Sequence, residues 1–376
     1  MVMSRKERFI EEAYISEEVK EKFNERNEKI IEAIIKKSEK VCQSSVALIG
    51  IYGSFLTGDI HEKSDLDLLI VINDNKGWQL GESFIQDDLE VGHDIYCTTW
   101  EALENDAEYN NPNISKLMCS KIVYCAEEKD IKRLEDLRKS VERILKSPFT
   151  EKDYERVEEI MGHVYKAYAN LMTSKDLYKG RFYAGDVIYN IESAICLINK
   201  SYFKLGIKRA YDELEKLQEK PNNFIENIER IIKSDKLDKV KEYTTELIAQ
   251  IQQLIKEKRR IIIKEKKLPK VDNLRGSYEE FFSNWRNKMY YAAETKNLHL
   301  AFMSMNSFQN TLDKISNEIS IPKYNVFLGF NLEDLYETAK AFDNILNEYL
   351  EEYEKVGLKV NRYKNVNEFI SHYIQN

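Results

Sequence analysis

The spacing of apolar residues changes character near residue 145. Val19, Phe23, Ile30, Ile31, Ile34 and Ile35 recur at steps of three and four, which predicts an amphipathic helix over residues 17–42. The apolar residues that follow come in short runs, "VALIGIYG", "LLIVI" and "EVGHDIYC", and predict strands over 46–52, 65–72 and 90–97. The first two runs lack polar alternation, the mark of central strands covered on both faces. Helical spacing returns at "CTTWEALEND" and over 130–146. Pro148 then breaks the pattern, and Thr150 is placed to cap a new helix. Beyond the break every periodic segment reads as helix: 151–174, 181–205, 208–218, 222–233, 236–264, 277–294, 296–317, 331–355 and 365–374. The expected fold class is α+β. Residues 1–145 would hold a small mixed β-sheet with flanking helices, and residues 146–376 an all-α helical domain.

Charge interrupts one of these strands. "SDLDLLIVI" places Asp65 and Asp67 two residues apart, so on a strand they share a face. Carboxylates held that close resist joint ionisation, and apolar surroundings add a desolvation penalty. An edge strand with both groups in water would relieve the strain, but the neighbouring runs read as central. A divalent cation relieves it too. An all-oxygen site beside phosphate suits magnesium.

Just upstream, "GSFLTGD" spaces Gly53 and Gly58 as in the phosphate loop G-x-x-x-x-G-K-[ST]. Asp59, however, stands where that loop needs the lysine that balances the phosphates, so the reading fails on charge. "GS", ten residues and "DLD" instead resemble the signature of the DNA polymerase β-like nucleotidyltransferase superfamily. The resemblance covers about the first 140 residues. It implies that Gly53 and Ser54 open a short helix whose amides and serine hydroxyl meet the triphosphate of a nucleoside triphosphate, as helix N-termini suit anions. It further implies that Asp65, Asp67 and a third carboxylate on a later strand hold magnesium, two ions in all. Asp94, in "EVGHDIYCTTWEAL", has the context of that third carboxylate. The reaction implied moves a nucleoside monophosphate, with ATP as the expected donor, onto a hydroxyl and releases pyrophosphate. Thr57 and Gly58 read as structural, with Asp59 pointing away.

The chain has 57 Lys+Arg against 65 Asp+Glu, and the excess of acid is local. Residues 1–140 hold 19 basic and 29 acidic residues, and residues 41–115 hold 2 and 14. A duplex-binding surface would carry the opposite bias. An acidic cleft favours metal ions and cationic acceptors. As a whole the chain resembles small-molecule nucleotidyltransferases of the kanamycin or lincosamide type, which implies that the helical domain closes over a small hydroxylated acceptor. Asp186, Asn190 and Glu192 punctuate the apolar helix "GRFYAGDVIYNIESAICLINKSYFKLG". Asp186 and Glu192, together with His163 in "EEIMGHVYKAYANL", are candidates on the acceptor side; capping or surface hydration explains Asp186 and Glu192 equally well, and a helix residue without substrate contact is the commoner reading of His163. His93 should face away from its neighbour Asp94 and serve a packing or surface role rather than catalysis.

Rival readings remain. A nucleotidyltransferase acting on RNA or protein would need a basic surface, for which Lys256 to Lys270 is the candidate; a solvated helix accounts for the same run. A synthase of signalling oligonucleotides would need no added acceptor. A non-catalytic nucleotide-binding module has no reason to keep three converging carboxylates. Five cysteines, without a C-x-x-C pair, read as reduced thiols of a cytoplasmic protein. The charged amino terminus has no signal-peptide core, and no apolar run reaches membrane-spanning length.

Overall fold

The structure, a computed structural model, describes residues 17–58, 60–61, 63–262 and 267–375. Its residues fall into two compact units, 1–262 and 263–376.

In the first unit, helix α1 (Glu17–Val41) precedes β1 (Val46–Ile51), the one-turn helix α2 (Ser54–Thr57) and β2 (Leu68–Ile72). A hairpin of β3 (Glu82–Gln86) and β4 (Val91–Ile95) leads to β5 (Cys97–Thr99), α3 (Trp100–Ala107), α4 (Ser115–Cys119), β6 (Lys121–Cys125) and α5 (Glu128–Lys146). The main sheet has the order β5-β2-β1-β6, with β1 antiparallel to both neighbours and β2 parallel to β5. It is thus mixed, and the two continuous apolar runs are its central strands. Alternation along β2 sends Ile70 and Ile72 toward the isoleucine face of α1, with Ile30, Ile31, Ile34 and Ile35, and Leu69 and Val71 toward the opposite core of Trp100, Leu103 and Leu117.

The structure departs from the expected strands in three ways. The β2 ladder starts at Leu68, so Asp65 and Asp67 lie on the extended approach to the strand rather than within it. The single strand expected at 90–97 is two, with β4 paired only to β3 and β5 joining the main sheet. Strands β3 and β6 were hidden, because both are short, "ESFIQ" is mostly solvent-facing and "KIVYC" is split between exposed and half-buried positions.

The helices continue as α6 (Glu151–Thr173), α7 (Leu177–Ile198), α8 (Ala210–Lys216), α9 (Phe224–Ile232) and α10 (Leu237–Ile262). Thr150 and Asp153 form a reciprocal capping box at the start of α6, as the Pro148 break suggested. Asp153 is buried. Burial pushes its pKa up, but bonds from Lys200 and Thr150 outweigh that and hold it below the ordinary range. Arg156 pairs with Asp153 at 2.8 Å and donates to the Glu108 carbonyl at 2.7 Å, joining α6 to the end of α3. One apolar core runs without a gap from Ala47 and Leu69 in the sheet through Leu117 and Val157 to Ile191 and Ile255 in the helices. The border expected near residue 145 lies inside this unit.

The second unit contains α11 (Val271–Leu274), α12 (Ser277–Glu280), a π-helical turn (Phe281–Arg286), α13 (Asn287–Glu294), α14 (Leu298–Glu318), α15 (Leu335–Lys355) and α16 (Val366–Gln375). Its core is aromatic: Phe308 stacks on Phe342 at 4.4 Å, and Phe281 meets Phe308 at 5.0 Å and Tyr349 at 4.9 Å.

Candidate active site

The carboxyl end of β1 and the approach to β2 meet at one edge of the sheet, because the two strands are antiparallel neighbours. Tyr52 N–H donates to the Asp67 carbonyl at 3.1 Å, which clasps the turn after β1 to the "DLD" segment. Gly53 then turns the chain with φ 73°, in the left-handed region, and is the N-cap of α2. A side chain is excluded there twice over. The backbone conformation is one that L residues rarely adopt, and a Cβ would sit 1.9 Å from Asp67 Oδ2. The N-cap is therefore Gly53, and Ser54 is the first helical residue, with its backbone N–H bonded to the Asp67 carboxylate. Gly58 closes α2 in the left-handed conformation with open space around it, a structural role. Asp59 lies outside the described residues.

Asp67 is half-buried and Asp65 exposed. The Asp67 pKa is raised to about 6, by burial first and by the Asp65 charge second, against a smaller opposing pull from the Ser54 N–H. Tyr52 is pushed up to about 12 by burial and by the same two carboxylates. The turn thus concentrates negative charge in a poorly hydrated spot. Among the described residues no three His, Cys, Asp or Glu side chains converge as a ready cage. The two aspartates nevertheless fit magnesium, which is ordinarily bound through one or two carboxylates and completed by phosphate and water.

Three side chains around this pair were not singled out from sequence as site residues. Arg26 of α1 stacks on Phe23 and, at 5.8 Å, on Phe55 of α2, and it donates to the Ser64 carbonyl at 3.0 Å. It braces the turn and the aspartate segment from behind. Burial lowers its pKa, while the charge of Asp65 favours the cation. In sequence it was one charged residue of an amphipathic helix; its apolar neighbours at Phe23 and Phe55 were the available signal. Tyr52 is the second. The third, His93, is buried, stacks on Phe84 at 4.9 Å and shares a hydrogen bond of 3.2 Å with Gln86. Its packing role is as expected, and it also lies within electrostatic reach of Asp65.

Asp94 is exposed on β4, and its Oδ1 accepts from the Ser83 hydroxyl at 2.8 Å. The structure does not bring its side chain to the pair. On the helical side, Glu192 of α7 is the perturbed group: burial alone raises its pKa to about 7. Asp186, on the same helix, and His163, on α6, are exposed. Tyr189, one turn before Glu192, accepts from Asn113 Nδ2 at 3.1 Å. Asn113 lies just before α4, so this bond ties α7 to the segment that leads into α4.

Residues 34–139 match the profile of a nucleotidyltransferase domain, and residues 131–260 match that of the KNTase C-terminal domain. The chain belongs to the DNA polymerase β-like nucleotidyltransferases, in a kanamycin nucleotidyltransferase-like arrangement of catalytic and helical parts. It is a nucleotidyltransferase enzyme. No curated protein matches the sequence. Among solved structures, a nucleotidyltransferase-like protein from Exiguobacterium sibiricum 255-15 is 11% identical, with 74% of this chain and 89% of that one covered at a TM-score of 0.35. The second unit lies beyond both profiles. Among the described residues no helix is long and apolar enough to cross a membrane.

Proposed function

We propose that the enzyme transfers a nucleoside monophosphate from a magnesium-bound nucleoside triphosphate, ATP in the first instance, to a hydroxyl of a small cationic acceptor in the cytoplasm. The observation that carries the proposal is the Gly53–Asp67 contact. A carboxylate whose proton affinity is raised by burial and by a second carboxylate is pressed against a glycine turn too tight for any side chain. That arrangement is costly alone and useful with a cation and a triphosphate.

Asp65 and Asp67 would hold the metal, two ions in the working complex. When bound, magnesium neutralises phosphate charge and stabilises the departing pyrophosphate. The chain's own residues do the rest. Gly53 would let the backbone approach the phosphates, and the Ser54 hydroxyl would donate to one of them. Tyr52 and Arg26 fix the turn relative to Asp67. Asp94 would release Ser83 and complete the acceptor side of the site. Glu192, poised near neutrality, is the group we assign to take the proton from the acceptor hydroxyl, since a base with a pKa near 7 is both ionised and basic enough to act. Asp186 would attract the acceptor's positive charge, and we assign His163 no contact. The domain roles follow the same division, residues 1–145 for nucleotide and 146–376 for acceptor.

A small cationic acceptor is favoured over RNA by the acidity of residues 41–115 and by the state of the basic run. Lys258 pairs with Glu219 at 2.7 Å, and Arg259 stacks over Tyr154 and bonds its hydroxyl. Both are occupied within the unit. Cytoplasmic location is supported by five cysteines that form no disulfide. Pyrophosphate release should be measured with ATP and magnesium against aminoglycosides, lincosamides, nucleosides and RNA. Turnover with a cationic small molecule supports the proposal. A response to RNA alone, or to nucleotide without acceptor, replaces it with one of the rival reactions.

A further inference from the structure

The second unit leaves two apolar surfaces uncovered at opposite ends of one helix. At the carboxyl end of α15, Glu279 accepts from the Tyr353 hydroxyl at 2.9 Å and from the Asn361 N–H at 2.8 Å, which pins the segment leading into α16. Tyr363 in that segment packs on Phe369 at 5.4 Å and on His372 at 5.5 Å, so α16 is held at the same end. Val366, Phe369, Ile370, Tyr373 and Ile374 repeat at steps of three and four along α16, and all of them are exposed, Ile374 at 77%. An isolated helix of ten residues is marginal in water, and a bare aromatic face makes it worse.

The other surface lies just before α15 begins. Phe302 meets Phe327 at 5.3 Å and Phe330 at 5.7 Å, and around this trio Leu298, Leu328 and Leu332 are exposed, Leu328 at 84%. At 1.5 Å per residue, the 21 residues of α15 separate the two surfaces by about 30 Å. A chain cannot lay its own α16 on its own aromatic trio without breaking the Glu279 and Tyr363 contacts.

We infer that α16 docks on the Phe302–Phe327–Phe330 surface of a second copy of this chain, and that the exchange is reciprocal. Two copies running antiparallel along α15 would each offer a helix and a receiving surface, a two-fold arrangement that closes at the dimer. Charge points the same way. The segment entering α16 carries exposed Lys359, Arg362 and Lys364, and the receiving surface is edged by exposed Glu333, Asp334 and Glu337. Because the contact is made twice, its area is doubled toward the roughly 1,600 Å² of a standard stable interface.

The test is sedimentation equilibrium on the full chain and two variants, each altered only at exposed positions and checked for unchanged helicity. One variant carries Ile370→Glu with Ile374→Glu on α16, the other Leu328→Glu with Leu332→Glu on the receiving surface. The wild type should be a dimer at micromolar concentration, and each variant should associate about 100-fold more weakly, as expected for loss of two apolar anchors per contact. A 1:1 mixture of the two variants should associate more strongly than either alone, since one intact helix then faces one intact surface. A monomeric wild type at about 100 µM overturns the inference. So does a receiving-surface variant that dimerises like the wild type, which would assign α16 a different occupant, or a mixture that recovers nothing.

Discussion

Replacing Asp67 with Asn should make the metal-free protein more stable, not less. The folded pKa of Asp67 is about 6, raised from an ordinary 3.8 by burial and by Asp65. A carboxyl whose pKa rises on folding holds its proton more tightly in the native state than in the unfolded one. Its contribution therefore favours the fold fully below about pH 4 and is lost as pH climbs through about 6. At pH 7.5 in chelator the ionised group opposes folding by about 3 kcal/mol at face value, from 1.4 kcal/mol for each tenfold change in proton affinity. Asp67 is only partly buried and water screens it, so about 1 kcal/mol is the working figure. Asn keeps the shape and an oxygen for the Ser54 N–H while removing the charge. For a unit of this size that figure amounts to about 2–4 °C in melting temperature. Thermal unfolding of wild type and D67N in EDTA at pH 7.5 and pH 4 is the assay. The variant should melt higher at pH 7.5, the advantage should vanish at pH 4, and magnesium with ATP should stabilise the wild type alone. A variant that melts lower at pH 7.5 in EDTA would show that the ionised carboxylate supports the fold, and the argument for a cation-seeking pair would fail.

Three further outcomes are expected. Gly53→Ala should lower the melting temperature by the equivalent of about 1–2 kcal/mol for its positive φ, and it should abolish pyrophosphate release because the new Cβ displaces Asp67; a variant with wild-type turnover refutes the cradle. The wild-type rate should rise with pH through about 7, and Glu192→Gln should reduce kcat by about 10²–10⁴-fold and remove that rise; an unchanged pH profile places the base elsewhere. Asp94→Asn should cut turnover by about 100-fold while magnesium–ATP affinity, read by titration calorimetry, stays within about threefold; equal losses in both would place Asp94 on the nucleotide.

What could be read from sequence followed the strength of local signals. Strands β1 and β2 declared themselves because continuous apolar runs have few other uses, and α6 declared itself because Thr150 and Asp153 cap it within three residues. Strand β6 did not, since "KIVYC" is an edge strand whose apolar content is split between exposed and half-buried positions. For the site, the glycine-serine turn and the aspartate pair were legible as spacing. That Asp65 and Asp67 precede the ladder was not, because strand ends are set by the partner's register, and here Ile51 pairs with Leu68. The Arg26 brace was illegible for a related reason. It acts across 38 residues of sequence, through a carbonyl that any residue at position 64 would provide.

The unbroken core of the first unit has a consequence for how such an enzyme can diversify. Where two modules meet across a thin polar seam, recombination can exchange one and keep the other. Here Leu69 and Val71 of the catalytic sheet belong to the same apolar mass as Val187 and Ile191 of the helix that carries Glu192. A grafted helical part would have to match that mass side chain by side chain, or leave cavities worth several kcal/mol. On the acceptor role proposed above for α7, new acceptors are more easily reached by point changes at its exposed positions, such as Tyr178, Phe182 and Tyr189. Descent with small edits to one helix face, rather than shuffling of parts, is the history this packing permits.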